Sequence, residues 1–277
     1  MRRILTLVVG VACGLGLLLY PSAARWNTQR IESERTSRYE ATERSEAVPV
    51  SQEYAAAVEY NTDLTASHVE SFHAADASRD ATYMNQLLLP GSDVMGEVIV
   101  PALNVRLPIY HGTSDEVLAV GAGHLYGTSL PVGGESTHTV VSAHAGMTEA
   151  EMFTHLHTLA EGQEFLLHAA GQTARYVVDK ITTVLPEDTK DIQIVPGEDH
   201  ATLVTCTPVG INSHRLLVRG IRTELAADDA SMARTPGPGF PWWAAWFAGA
   251  LAATALGGWG LTRLLAPKPA ATVGGVS

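Results

Sequence analysis

The sequence predicts an all-β domain, a barrel or sandwich, held between two apolar segments. Three observations lead there. Eight short β-branched runs bounded by Gly, Pro or Asn lie between Met95 and Arg222. Each end of the chain carries a stretch apolar enough for a bilayer. All 29 acidic residues fall between Glu32 and Asp229, clear of both stretches.

In chain order, residues 1–24 read as an N-terminal transmembrane segment or signal anchor. Residues 4–20 are apolar or small, with Arg2 and Arg3 before them and Pro21 after. Seventeen residues is short for a membrane span. A cleaved signal peptide is the competing reading, because Pro21-Ser22-Ala23-Ala24 offers small residues to a peptidase. Residues 25–94 read as a helical and lid-like region. Residues 25–57 are rich in Glu, Arg, Ser, Thr and Ala, as in a mostly solvated helix, and 59–80 read as a polar loop. The strand-like runs are 97–100, 106–110, 139–142, 164–168, 174–178, 180–184, 202–206 and 215–220, within a domain of 95–225. Eight of them favour a barrel or sandwich. Residues 149–159 suit one short helix, and Gly171-Gln172 suits a tight hairpin. Residues 226–239 are a Pro/Gly linker, 240–265 a second transmembrane helix led by Trp242, Trp243 and Trp246, and 266–277 a tail.

Charge sets the expected topology. Four of the 18 basic residues, Arg2, Arg3, Arg263 and Lys268, flank the apolar segments, and positive flanks stay in the cytoplasm. Residues 25–239 then face outward, at a cell surface, with 14 basic and 29 acidic residues, a formal −15. If the first segment is cleaved, the second still anchors the chain the same way round. The acidic balance argues against nucleic acid as a partner. Two cysteines, Cys13 in the first apolar segment and Cys206 in the outer domain, make neither a disulfide framework nor a four-thiolate zinc site.

Cys206 closes the run Thr202-Leu203-Val204-Thr205-Cys206, and Arg215 opens the next run nine residues later. Two such strands joined by a short connection bring the two side chains together. Arg215, Leu217 and Arg219 share a face by period two, so either arginine can reach the thiol, Arg215 from nearer the turn. His144 follows the run 139–142. These residue types suit acyl transfer. A thiolate attacks a carbonyl, a guanidinium stabilises the oxyanion, and a histidine protonates the leaving amine. With eleven histidines in the chain, the residue types alone favour the plain reading of each, Cys206 as core and Arg215 as a surface charge.

Longer motifs separate the two. The segment Thr205-Cys206-Thr207-Pro208, followed by Asn212-Ser213-His214-Arg215-Leu216-Leu217-Val218-Arg219-Gly220, resembles the active-site signature of the sortase family. Leu107-Pro108-Ile109-Tyr110-His111-Gly112-Thr113, the stretch from Gly123-His124-Leu125 to Gly134, and Thr137-His138-Thr139-Val140-Val141-Ser142-Ala143-His144-Ala145-Gly146 resemble the family too, in its class C, pilus-assembling branch. The resemblance covers about Met95 to Arg222. It implies a sortase-type eight-stranded β-barrel with short helices, an N-terminal helical region and two flanking transmembrane helices. It implies His144, Cys206 and Arg215 as the catalytic set, with neither metal nor organic cofactor. The implied partners are a pilin or surface protein bearing an LPxTG-like signal, and a pilin Lys amine as acceptor. His138, at the start of the same run as His144, is expected to face elsewhere.

The chain departs from the family in two places. Class C enzymes often carry an Asp-Pro-aromatic lid tripeptide, which this sequence lacks. Val69-Glu70-Ser71-Phe72 lies at a comparable place, with Glu70 and Phe72 as the lid candidates and polar linker as the plain alternative. Ala145 stands where the family usually has Arg after the catalytic His. Four functions remain in view: pilin polymerisation, anchoring of proteins to a peptidoglycan amine, peptide hydrolysis by a membrane-anchored cysteine peptidase, and a non-enzymatic surface adhesin.

Overall fold

The computed structural model describes residues 2–67, 74–147, 150–226 and 239–264. The chain divides into two compact units, residues 1–26 with 239–277, and residues 27–238.

The first apolar stretch lies in helix α1 (Arg2–Ser45). Pro21 sits inside this helix rather than ending it. A proline removes one backbone donor, and the Ala, Arg and Glu that follow are good helix formers. From Thr6 onward α1 holds an 18-residue window of mean hydropathy 1.9, none of it buried. Among the described residues it is the one helix long and apolar enough to cross a membrane. The second apolar stretch also forms a helix, Trp242–Leu264. Trp26 Nε1 donates to the Gly239 carbonyl at 2.9 Å, and the Trp26 and Trp243 rings meet edge-on at 6.4 Å.

The second unit is built on a closed barrel. Its strands are β1 (Gly96–Val100), β2 (Val105–His111), β3 (Ala122–His124), β4 (Thr137–Ser142), β5 (Glu164–Ala169), β6 (Gln172–Val184), β7 (Asp199–Thr207) and β8 (His214–Thr223). They close in the order β1-β2-β3-β4-β7-β8-β6-β5. The pairs β2–β3 and β4–β7 are parallel and the others antiparallel. The barrel has the expected number of strands but a different set. Runs 174–178 and 180–184 are one strand, β6, whose register against β8 shifts at Asp179 as at a bulge. The remaining strand is β3, whose three residues with a central Gly123 are too few to display a period-two pattern. The β5–β6 hairpin turns on Ala170 and Gly171, with φ of 46° and 72°. Both values are positive, as a two-residue type I′ loop requires.

Two other expectations change. The polar loop expected over 59–80 begins as helix, because α2 (Ala47–Ser67) runs through it. A 3₁₀ turn (Ala74–Arg79) and α3 (Ala81–Met84) follow, the latter capped by Asp80 Oδ1, which accepts from the Thr82 and Tyr83 amides. The buried face of α2 is narrow: Val50, Ala57, Asn61 and Leu64, at helical spacing. Asn61 makes this face specific. Its side chain donates to the Leu130 carbonyl (3.2 Å) and accepts from the Leu130 amide (2.7 Å). Over 149–159 the described residues show only a 3₁₀ turn, Leu156–Thr158, in place of a helix. Phe153 and Leu156 there are fully buried in the core.

The outer half of α1 is mostly exposed but carries one buried face. Glu32, Thr36 and Tyr39 are buried along one face, which Glu43 extends. Polar groups dock this face. The Tyr39 hydroxyl accepts from the Ala170 amide (2.9 Å). Arg106 lies between Glu40 and Glu97 and bonds to both. Glu43 accepts from the Gly171 amide (2.7 Å) and from His168 Nε2 (2.7 Å). Burial alone would depress the His168 imidazole, but the Glu43 carboxylate, helped by Glu97, more than reverses this and raises its pKa.

A raised folded pKa means that His168⁺ stabilises the fold fully below its unfolded value near 6.5 and that this contribution is lost as pH rises through the folded value. At pH 6, His168→Gln is expected to cost roughly 1–2 kcal/mol, within the range of charge-assisted hydrogen bonds. The gap between wild type and variant in thermal unfolding should narrow steadily above neutral pH.

Candidate active site

The parallel pairing of β4 with β7, and the antiparallel pairing of β7 with β8 and of β8 with β6, put side chains in rows. Ser142, Val204, Leu217 and Thr182 are neighbours in register. One step further along, Cys206 is paired with Arg215, and Arg215 with Val184. One step back, Val140, Thr202, Arg219 and Lys180 form a row. The alternate residues Val141, Leu203 and Val218 point into the barrel core. The rows therefore cover the outer face of the wall, and Cys206 and Arg215 stand at its end.

Residues 185–198, between β6 and β7, cross this face and enclose a cavity of about 390 Å³. Cys206, Arg215 and His144 all line it. Val140, Ile192 and Leu217, with Leu125, Val184 and Val204, form a separate apolar cluster under it. Asp115 and Leu118 of α4 (Asp115–Leu118) line it from one side, and Leu185, Pro186, Asp188 and Thr189 from the other.

His144 lies two residues beyond β4. The β4–β7 ladder continues with the Ala143 amide donating to the Val204 carbonyl (3.1 Å). The Ala143 carbonyl instead takes the Thr205 hydroxyl (2.8 Å). The Phe153 amide donates to the His144 carbonyl (3.0 Å). Gly146, at φ 79°, then turns the chain beneath Val209, where a Cβ would collide with that side chain. Its amide is held by Thr154 Oγ1 at 2.9 Å. His144 is thereby fixed on both sides by backbone contacts. Arg215 Nη1 donates to the carbonyls of Asn212 and His214, both at 3.2 Å. Among the described residues no carboxylate lies within ion-pair distance of Arg215, which leaves its charge available to the cavity.

All three residues expected to act together line one cavity, and Arg215 rather than Arg219 is paired in register with Cys206. Arg219 is taken by Asp179, at 2.5 Å. His138 shares a strand face with Val140 and Ser142 but is buried and does not line the cavity. Glu70 and Phe72, the lid candidates, lie outside the described residues. The cavity wall from 185 to 192 was not singled out from the sequence. Its only signal there is isolated apolar residues, Leu185 and Ile192, in a polar connection. Cys13 and Cys206 are both free. Among the described residues no group of three or more His, Cys, Asp or Glu could hold a metal ion.

Two other histidines of the family-like motifs are structural. His124 is fully buried. Its Nε2 faces the Ser129 carbonyl (2.8 Å), which can only accept, so Nε2 carries the proton and Nδ1 accepts from the Tyr83 hydroxyl (2.9 Å). Burial pushes its pKa down to about 4, which keeps the ring neutral. His111 Nε2 meets the Gln86 carbonyl at 2.8 Å.

Residues 98–223 match the family model described as Sortase domain. The Sortase A of Streptococcus agalactiae serotype III is 30% identical over 117 residues, which are 41% of this chain and 47% of that protein. The chain spans about half the length of the curated relatives it matches. Among solved structures, sortase C-1 of Actinomyces oris is 42% identical with a TM-score of 0.59, over 64% of this chain and 99% of that one. Sortase C of Streptococcus pneumoniae is 39% identical with a TM-score of 0.62, over 71% of this chain and 98% of that one. The chain belongs to the sortase family, in its class C branch.

Thr205→Val keeps the shape of the side chain but leaves the buried Ala143 carbonyl unpaired. It should cost about 1–3 kcal/mol in denaturant unfolding.

Proposed function

We propose that this chain is a membrane-anchored cysteine transpeptidase that joins an LPxTG-like sorting signal to a pilin lysine. The observation that carries this reading is the register of β7 and β8, which opposes Cys206 to Arg215 in a cavity that His144 also lines.

The reaction needs only groups the chain supplies. Cys206 Sγ attacks the Thr carbonyl of the signal, and the negative charge that develops on that oxygen faces the Arg215 guanidinium. His144 gives a proton to the departing Gly nitrogen as the Thr–Gly bond breaks. The Thr is now held as a thioester on Cys206. A neutral Lys ε-amine then attacks the thioester, its proton passes to His144, and Cys206 leaves as the isopeptide bond forms. One amide is broken and one made, with no redox change and no cofactor. The Leu and Pro of the signal fit between the apolar wall of Val140, Val204 and Leu217 and Ile192 of the crossing segment.

The pilin reading is favoured over wall anchoring by coverage. The likeness to sortase C structures spans 98–99% of two of those chains, whereas the likeness to Sortase A stops at about half. The S. pneumoniae sortase C structure is described in terms of catalysis and pilin substrate specificity. For anchoring, α1 supplies one apolar helix and Trp242–Leu264 the second, and the basic flanks Arg2, Arg3, Arg263 and Lys268 favour both tails in the cytoplasm with residues 25–239 outside. Glu70 and Phe72 remain the lid candidates, with polar linker as the alternative.

The test is the full chain in detergent with an LPxTG peptide, with and without a Lys-bearing pilin domain, followed by mass spectrometry. A thioester on Cys206 and an isopeptide product that needs the Lys donor are expected. Cys206→Ala should abolish both, and Arg215→Ala should lower kcat by roughly 10²–10³, as for loss of an oxyanion donor. Product that forms only as the free acid, whatever amine is added, would replace the transpeptidase with a peptidase.

A further inference from the structure

Ile192 forms part of the cavity wall and is held between two anchors. On one side, Asp191 Oδ1 meets Lys180 Nζ of β6 at 2.6 Å. On the other, the Gln193 carbonyl meets His138 Nδ1 of β4 at 2.8 Å. A carbonyl only accepts, so Nδ1 carries the proton, and Nε2 accepts from the Thr202 hydroxyl at 2.7 Å. The anchors are unequal. The Lys180 side chain is 42% exposed, and exposed ion pairs contribute little. His138 is 1% exposed, so its bond is made away from water and the ring is tautomerically fixed. Burial pushes its pKa down to about 4, which keeps Nε2 free to accept at neutral pH. His138 does not line the cavity, so it reaches the cavity only through the turn that carries Ile192.

We propose that His138 is a positioning residue for substrate binding: its Nδ1 proton holds the Gln193 carbonyl and so fixes Ile192 as the wall against which an apolar substrate side chain packs. This rests on the reading of the cavity as the peptide site. It predicts an effect on binding with little effect on the chemistry at Cys206, because the rows of His138 and Cys206 are separated by those of Val140 and Ser142.

Two replacements separate the ring nitrogens. His138→Asn puts an amide N–H near the place of Nδ1–H, and His138→Gln extends its amide toward the place of Nε2. With the full chain in detergent and an LPxTG peptide, His138→Gln should raise KM about tenfold, of the order of one or two lost hydrogen bonds. Its kcat, and the rate at which iodoacetamide alkylates Cys206, should stay near wild type. Amide hydrogen exchange at 189–193 should speed up in the same variant, while His138→Asn should resemble wild type in KM and exchange. Equal impairment of both variants, or unchanged KM and exchange in His138→Gln, overturns the proposal. So does a fall in Cys206 alkylation in step with KM, which would mean a general loss of fold. If His138→Gln does not fold, Thr202→Val takes its place: faster exchange at 189–193 with a smaller rise in KM supports the role, and unchanged exchange refutes it. If wild type turns over no peptide, the functional reading fails, and the exchange at 189–193 alone decides whether His138 positions the turn.

Discussion

Everything at the site depends on β7 having a neighbour on both sides. A strand paired once can slip or fray at its end, but β7 is fixed by a parallel partner and an antiparallel one. Because side chains alternate with period two, a slip of one residue would send Cys206 into the core and Thr205 to the surface. The apolar alternates Val141, Leu203 and Val218 forbid that slip by their burial. The pairing also decides which arginine lies opposite Cys206. Cys206 is opposed to Arg215, and Arg219 lies two rows away in an ion pair with Asp179. The placement of the reactive side chains is therefore a consequence of core packing, and needs no special local structure at Cys206 itself.

The fold was legible where burial is one-sided and repeats along the chain. The runs that became β1, β2, β4, β5, β7 and β8 carried β-branched residues between turn signals. Where the pattern was interrupted, it misled. Asp179 breaks β6 into two apparent strands because a bulge lets a charged residue sit inside a continuous element. β3 is held by its partners rather than by its own composition. The helices hid for a different reason. The buried faces of α1 and α2 are narrow and partly polar, with Glu32, Thr36, Glu43 and Asn61 among the inward residues. A polar residue that is satisfied by one specific backbone partner gives no hydrophobic period to read.

The candidate site was legible to a similar depth. Spacing brought Cys206 and Arg215 together on paper, and the motif resemblance selected His144 from eleven histidines. The roof over the cavity was invisible, because residues 185–198 are a connection whose path depends on bonds to β4 and β6. The other motif histidines illustrate the same limit. His124 and His144 sit in comparable Gly-rich contexts in the sequence, yet one is sealed in the core with Tyr83 and Ser129 and the other lines an open cavity. Sequence alone marks a histidine as constrained without saying whether the constraint is structural.

Closure of the barrel has a further consequence for recognition. Every strand in the ring has two neighbours, but the β5–β6 ladder ends at Val177 while the β6–β8 ladder runs on to Val184, so the far part of β6 is paired on one side only. On the wall that carries Cys206, where β7 is paired on both sides, an extended peptide finds no free ladder groups of the kind by which many proteins hold linear motifs as an added strand. Selectivity must come instead from the side-chain pockets and loops on the outer wall.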